Sequence, residues 1–244
     1  LTKGKGKKVV SLCATYLEDN QKNNPTAMKY LIIGMGPGIG WSLATTFGKA
    51  GFDILMVARN EERLREMEQR LAEQSIVSKG YSADLAEPEA FVAFMRQLAA
   101  EHPDTAVVHY NASAFHLGSP LELPLDTFIS ALHTCVTGAV AAVQAFYPIL
   151  RKQSRAAFFF TGGGSALHPN TATFSLSIGK AGLRNLALSL VEACAGSSVQ
   201  VGTVTVAGMV KSGTPLDPDL IAAQFAVLWE QGKGKAAVEV LMEG

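Results

Sequence analysis

The apolar residues of this chain fall into two alternating rhythms. Short runs rich in β-branched and aromatic residues recur at Lys29–Gly34, Asp53–Ala58, Ile76–Ser82, Ala106–Tyr110, Ala156–Thr161, Val199–Val206 and Ala237–Met242. Between most of them lie stretches with helical spacing: Gly38–Ala50, Glu61–Gln74, Pro88–Glu101, Leu125–Lys152 (expected to be broken), Ser175–Ala195 and Asp219–Gln231. Such alternation predicts parallel strands joined by right-handed crossovers, with helices on both faces. The expected fold is α/β: a doubly wound sheet of about seven mostly parallel strands in three α/β/α layers, with its ligand crevice at the carboxyl ends of the strands. No internal repeat or linker divides residues 28–244, which read as one domain.

Composition adds limits. The 244 residues are 48% apolar and 17% charged, which excludes a wholly disordered chain. The formal net charge of zero hides two unlike parts. Residues 1–27 carry five lysines against Glu18 and Asp19, a charge of +3, and residues 28–244 carry −3. The first part reads as a disordered or extension segment, with Met28 as the start of the domain. Its basic beginning and Val9–Leu17 faintly mimic a signal peptide, but no small-residue cleavage site follows. The domain lacks a net basic footprint, so nucleic acid is not expected as a partner. Nor is a membrane. The most apolar stretch, Ala131–Leu150, is interrupted by His133, Thr134, Thr137, Gln144 and Pro148, which suits a buried or interface helix better than a spanning one. Cys13, Cys135 and Cys194 are too few and too widely spaced for a disulfide framework or a metal cluster, and they suit a reducing cytoplasm.

The first strand runs straight into Gly34-Met35-Gly36-Pro37-Gly38-Ile39-Gly40 and then a helix. Glycines there permit a sharp turn and let backbone N–H groups approach a pyrophosphate at the helix N-terminus. The spacing Gly-x-Gly-x-x-Gly fails, whereas Gly-x-x-x-Gly-x-Gly fits as Gly34, Gly38 and Gly40. The second strand ends Val57-Ala58-Arg59-Asn60, with no carboxylate for a ribose 2′-hydroxyl. A methyltransferase would normally place an acidic residue there. Arg59 could instead pair with a 2′-phosphate through its planar fork. NADP(H) is therefore favoured over NAD(H).

The loop spacing resembles that of the short-chain dehydrogenase/reductase family, whose domain is of the Rossmann type. Further segments extend the resemblance over nearly all of residues 28–244. Ser82-Ala83-Asp84-Leu85 ends the third strand, where the family places an Asp near the adenine. Tyr110-Asn111-Ala112-Ser113 is similar to the family's Asn-Asn-Ala-Gly. Val136-Thr137-Gly138 matches a helix motif that normally begins with Asn, here Cys135. Lys180-Ala181-Gly182-Leu183 matches the segment at the family's lysine, and Ala207-Gly208-Met209-Val210 the loop that closes over the nicotinamide. The resemblance implies a cofactor site at Gly34, Met35, Gly36, Gly38, Ile39, Gly40, Arg59, Asp84, Leu85, Asn111, Ala112, Lys180, Gly208 and Val210. It also implies hydride exchange with a small-molecule substrate, and assembly as a homodimer or homotetramer through the Leu125–Lys152 and Ser175–Ala195 helices.

The catalytic residues depart from that pattern. The family pairs Tyr and Lys at i and i+4, on one helix face. Four residues before Lys180 stands Leu176, which has no exchangeable proton. The family serine falls near Gly162 or Gly163. Lys180 is expected to hold the nicotinamide ribose, with His168 as a candidate acid and Ser177 as a candidate orienting hydroxyl. Tyr110 and His116 are outsiders for proton donation, and Met209 and Phe174 could shape the substrate side. Two readings follow. One is an NADP(H)-dependent oxidoreductase with a non-standard proton donor, acting on a small carbonyl, alcohol or activated alkene. The other is a catalytically degenerate NADP(H)-binding sensor or interaction protein, since fold alone does not decide function.

Overall fold

The structure, a computed structural model, describes residues 27–244. The expected extension at 1–27 lies outside the described residues except for Ala27. Seven strands form one sheet: β1 (Lys29–Ile33), β2 (Asp53–Ala58), β3 (Ser78–Ser82), β4 (Thr105–Tyr110), β5 (Ala156–Gly163), β6 (Val199–Ala207) and β7 (Glu239–Glu243). Their order is β3-β2-β1-β4-β5-β6-β7, and all six pairings are parallel. The order reverses between β1 and β4, which opens the ligand crevice of a doubly wound sheet at their carboxyl ends.

The helices are α1 (Ile39–Lys49), α2 (Glu61–Ala72), α3 (Pro88–Glu101), α4 (Leu125–Leu132), α5 (Gly138–Leu150), α6 (Phe174–Ala193) and α7 (Pro218–Gln231). One apolar core joins α1, α2 and α7 to the sheet through Leu43, Phe47, Leu64, Leu71, Phe225 and Trp229. A second joins α3, α5 and α6 through Phe91, Met95, Ala142, Phe146, Leu183 and Ala187. The central strands are buried on both faces, which is why they read as continuous apolar runs instead of alternating ones.

Local chemistry sets the helix ends. The Asn60 side chain accepts from Arg63 N at 2.8 Å, and Glu61 and Glu62 in the first turn complement the helix dipole of α2. Asp217 caps α7 by accepting from Asp219 N at 2.9 Å, Pro218 fills the first helical position, and Gly232 at φ +71° ends the helix. The stretch expected to be broken is helical from Leu125 to Leu150, but its winding opens into a π-turn at His133–Thr137. This 26-residue run is long and apolar enough to cross a membrane, with mean hydropathy 1.4. Here it packs Ala139, Ala142, Phe146 and Leu150 against the sheet as one layer of the fold.

Candidate active site

The glycine loop is held from below. Gly34 adopts φ +93°, and a Cβ there would lie 2.5 Å from Ala112 Cα, so both backbone conformation and space demand glycine. The N–H groups of Gly34 and Met35 both donate to Val57 O at 2.9 Å, tying the loop to β2. Asn111 ties it to β4: its backbone N–H donates to Ile33 O and its Nδ2 to Gly34 O, both at 2.8 Å. Above this floor, Gly36 and Gly38 have no neighbour within 4 Å of where a Cβ would sit. No side chain caps the start of α1. Exposed backbone at an uncapped helix N-terminus is the physical requirement for holding a phosphate. The Met35 side chain is buried beneath the loop and Ile39 is half-buried, so their contribution to such a ligand is backbone.

The flanking candidates sit on strand ends. Arg59 follows β2 with an exposed side chain, and its carbonyl accepts from Ser82 Oγ at 2.9 Å. Asp84 follows β3, where its Oδ1 accepts from Ala86 N at 2.9 Å, and Leu85 and Ala112 are buried under the crevice. Gly208 follows β6 at φ +148° against Leu216, with Met209 and Val210 exposed beside it.

Lys180 projects from α6, nearly fully buried, and its Nζ donates to Thr161 O at 2.7 Å. Burial lowers its pKa to about 8, slightly opposed by the nearby Cys135 thiol. Cys135 lies in the π-turn, where its Sγ accepts from Ala114 N at 3.2 Å and burial raises its own pKa. A Cβ on Gly179 would come 2.6 Å from Cys135 Cβ, so the π-turn and α6 meet backbone to side chain beside the lysine. Of the two glycines expected near the family serine, Gly163 faces the lysine: a Cβ there would lie 3.2 Å from Lys180 Cγ. A Cβ on Gly162 would instead meet Thr205 Oγ1 at 2.7 Å.

The other proton-donor candidates are dispersed. Tyr110 is buried and its hydroxyl donates to Thr134 O at 2.6 Å, which removes it as an outsider for proton donation. Tyr81, on the edge strand β3, pairs with His102 Nε2 at 2.6 Å. Ser177 is buried, accepting from Asn170 N at 3.1 Å and donating to Thr173 O at 3.3 Å, so its hydroxyl serves the loop before α6. His168 is exposed on that loop and His116 is half-buried after β4. Phe174 stacks on Phe128 with ring centroids 5.3 Å apart.

A buried polar chain escaped the sequence reading. Tyr30, His109 and Thr161 form a chain that ends on Asn111. The signal was a histidine inside the otherwise apolar run Ala106–Tyr110. Ser42, also buried, donates to Asp219 Oδ1 at 2.6 Å and links α1 to α7.

Sheet order and the glycine loop at the head of α1 together define an α/β protein of the doubly wound class. A family model described as short chain dehydrogenase matches residues 29–221, and the chain belongs to that family. Among curated relatives, a Mycobacterium tuberculosis protein named "Probable oxidoreductase EphD" is 28% identical over 115 residues, 47% of this chain but 19% of that protein. The chain thus spans about a fifth of that relative. An uncharacterized oxidoreductase of Staphylococcus epidermidis is 25% identical over 181 residues, covering 74% of this chain and 76% of that protein. A metagenomic short-chain oxidoreductase crystallised with NADP superposes with a TM-score of 0.80 at 23% identity, over 88% of this chain and 96% of that one. A Pseudomonas aeruginosa short-chain oxidoreductase, described as containing an atypical catalytic center and solved with NADPH, superposes at 0.77 with 20% identity, over 90% and 98%. These two structures share the fold of this chain.

Proposed function

We propose that this protein is an NADP(H)-dependent oxidoreductase that exchanges a hydride with a small carbonyl, alcohol or activated alkene, without a tyrosine one helical turn before its lysine. The observation that carries the reading is that Thr161 accepts from Lys180 through its carbonyl and donates through its hydroxyl to Asn111, which in turn donates to Gly34. It links the lysine on α6 to the glycine loop through β5 and the end of β4. When bound, the dinucleotide supplies the hydride, and the protein supplies binding, orientation and a proton.

The open backbone at Gly36 and Gly38 and the uncapped α1 fit a pyrophosphate. Asp84 and the buried Leu85 and Ala112 suit the adenine side, while Gly208 and Val210 suit the nicotinamide side. Arg59, exposed where a carboxylate would select NAD(H), suits a 2′-phosphate. Lys180 is the group for the nicotinamide ribose. His168, exposed on the loop between β5 and α6, or a water held there, serves as acid. The substrate side is apolar. Phe115, Leu117 and Met209 are more than half exposed, and the Gly118–Thr173 bridge anchors the Phe115–Leu121 loop to the start of α6. Assembly as a homodimer or homotetramer, and residence in the cytoplasm, belong to the same reading. The buried free thiols of Cys135 and Cys194 are in keeping with a reducing compartment.

The test is a panel of carbonyls, alcohols and enones followed by NADPH absorbance, beside NADPH and NADH titrations. Turnover of one class with tighter NADPH than NADH binding is expected. Tight NADPH binding with no turnover across the panel would replace the oxidoreductase with the sensor reading.

A further inference from the structure

A line of polar groups crosses the interior beneath the glycine loop. Tyr30 on β1 and His109 on β4 are fully buried, and Thr161 on β5 is nearly so. Tyr30 OH lies 2.7 Å from His109 Nδ1, and His109 Nε2 lies 2.9 Å from Thr161 Oγ1. Thr161 Oγ1 donates to Asn111 Oδ1 at 2.8 Å, and Asn111 Nδ2 donates to Gly34 O at 2.8 Å.

The direction of every bond follows from its far end. Gly34 O is a carbonyl and only accepts, so the Asn111 amide must present its NH2 there and its Oδ1 to Thr161. The Thr161 hydroxyl proton is then spent on Asn111, and its lone pair can take only a donor. His109 Nε2 must carry that hydrogen. A neutral imidazole has one N–H, so Nδ1 is an acceptor and receives the Tyr30 hydroxyl. Burial lowers the pKa of the ring to about 3, so it is neutral and carries its hydrogen on Nε2. Phe159 and Phe225 pack around it, with ring centroids 6.2 and 4.3 Å away.

A satisfied core histidine would explain the bonds but not where they lead. Thr161 holds His109 through its hydroxyl and Lys180 through its carbonyl. Asn111 relays the same hydroxyl to the first glycine of the loop, which is pressed against Ala112. If His109 stopped donating, Thr161 could turn its hydroxyl away and free the Asn111 amide to rotate, loosening Gly34 O. We propose that His109, set by Tyr30, is a positioning residue for the cofactor cradle, fixing the Asn111 amide and the glycine loop through the Thr161 hydroxyl. This rests on the reading of Gly34–Gly40 and Lys180 as a nucleotide site.

The test uses the full chain with His109→Phe, His109→Gln, Thr161→Val, the His109→Phe/Thr161→Val double variant, and Leu71→Ala as a remote core control. Two readouts are taken. One is the amide NMR signals of the Gly34–Gly40 backbone and the Asn111 side chain without cofactor, and the other is NADPH affinity by fluorescence. His109→Phe, which keeps the ring and its packing, should shift the loop and Asn111 signals and weaken NADPH about five- to tenfold, the worth of one hydrogen bond. His109→Gln, which keeps a donor and an acceptor, should recover most of the loss. The double variant should be no worse than Thr161→Val alone. Leu71→Ala should lower the melting temperature without moving affinity.

Unmoved loop signals in His109→Phe, or additive losses in the double variant, would overturn the proposal. If His109→Phe does not fold, Thr161→Val alone must move the Asn111 and loop signals, and silence there overturns it equally. If the parent binds no NADPH, the cofactor reading fails, while the cofactor-free signals still decide the role of His109.

Discussion

Lys180 donates to the carbonyl of Thr161 at 2.7 Å from a position only 6% exposed. The ammonium is stripped of most of its water for a single protein acceptor, and desolvation lowers its pKa to about 8. A lysine kept for stability would not be placed so. Below pH 8 the native state holds a charge that the unfolded state solvates better, and stability rises with pH between about 8 and the unfolded value near 10.4. Lys180→Met should therefore make the cofactor-free protein more stable at pH 7, by about 1 kcal/mol, and cut NADPH affinity at least about tenfold. Urea unfolding and fluorescence titration check the two halves. A destabilised variant with unchanged affinity would make Lys180 a structural residue.

The two adjacent glycines of β5 should behave differently. Gly163→Ser adds its side chain beside Lys180 Cγ at the mouth of the crevice, where a flexible neighbour can yield by a few tenths of an ångström. Gly162→Ser drives into Thr205 Oγ1 and should cost about 1–3 kcal/mol. Leu176→Tyr with Gly163→Ser rebuilds a hydroxyl pair beside Lys180, the tyrosine one helical turn before it and the serine on β5. It should raise carbonyl reduction over the parent about a hundredfold, within the usual span of general acid catalysis. Leu176→Tyr with Gly162→Ser should gain less and melt lower. Paired NADPH oxidation rates and thermal melts decide it.

His109 should leave a pH signature in stability. Burial, aided by the charge of Lys180, lowers its pKa to about 3. Between that value and the unfolded value near 6.5, the unfolded chain binds a proton that the native chain does not. Stability is thus fully present above pH 6.5 and falls as pH drops toward 3, by up to ~1.4 kcal/mol per pH unit from this residue. His109→Phe should remove that portion of the acid slope. Subtracting the urea-unfolding free energies of variant and parent from pH 7 to 4 isolates it from the carboxylates, which titrate in both.

Arg59 is the specificity residue of the cofactor reading. Arg59→Ala should weaken NADPH by about ten- to a hundredfold, the worth of a charge-assisted bidentate contact, and leave NADH within about twofold. Equal affinity of the parent for the two cofactors would remove Arg59 from that role.

Much of this was legible along the chain because it depends on short-range order. The alternation of apolar runs placed seven strands and the helices between them. The caps that Asn60 and Asp217 supply to α2 and α7 lie within three residues of the groups they bond, so they too are local, although the spacing of apolar residues alone did not single them out. The glycine spacing at 34, 38 and 40 marked the crevice because a sharp strand-to-helix turn is itself local. Element ends drifted where tertiary pairing chose them: β5 runs to Gly163, two residues past its apolar run, because Gly162 and Gly163 still pair with Thr205 and Val206. The π-turn at His133–Thr137 likewise escaped, and it lies where Cys135 meets Gly179 across α6.

The sequence by itself determined the class of fold, the place of the glycine loop between β1 and α1, and the leucine four residues before Lys180, since each is a matter of residue type at fixed spacing. Only the tertiary structure decided which glycine faces the lysine, which tyrosines are already engaged, and that Tyr30, His109, Thr161 and Asn111 form one directed chain. Those facts depend on strands β1, β4 and β5 lying side by side while their residues stand up to 131 positions apart in the chain. A hydrogen bond acts over about 3 Å, so no pattern along the sequence can reveal which donors the fold brings within reach of which acceptors.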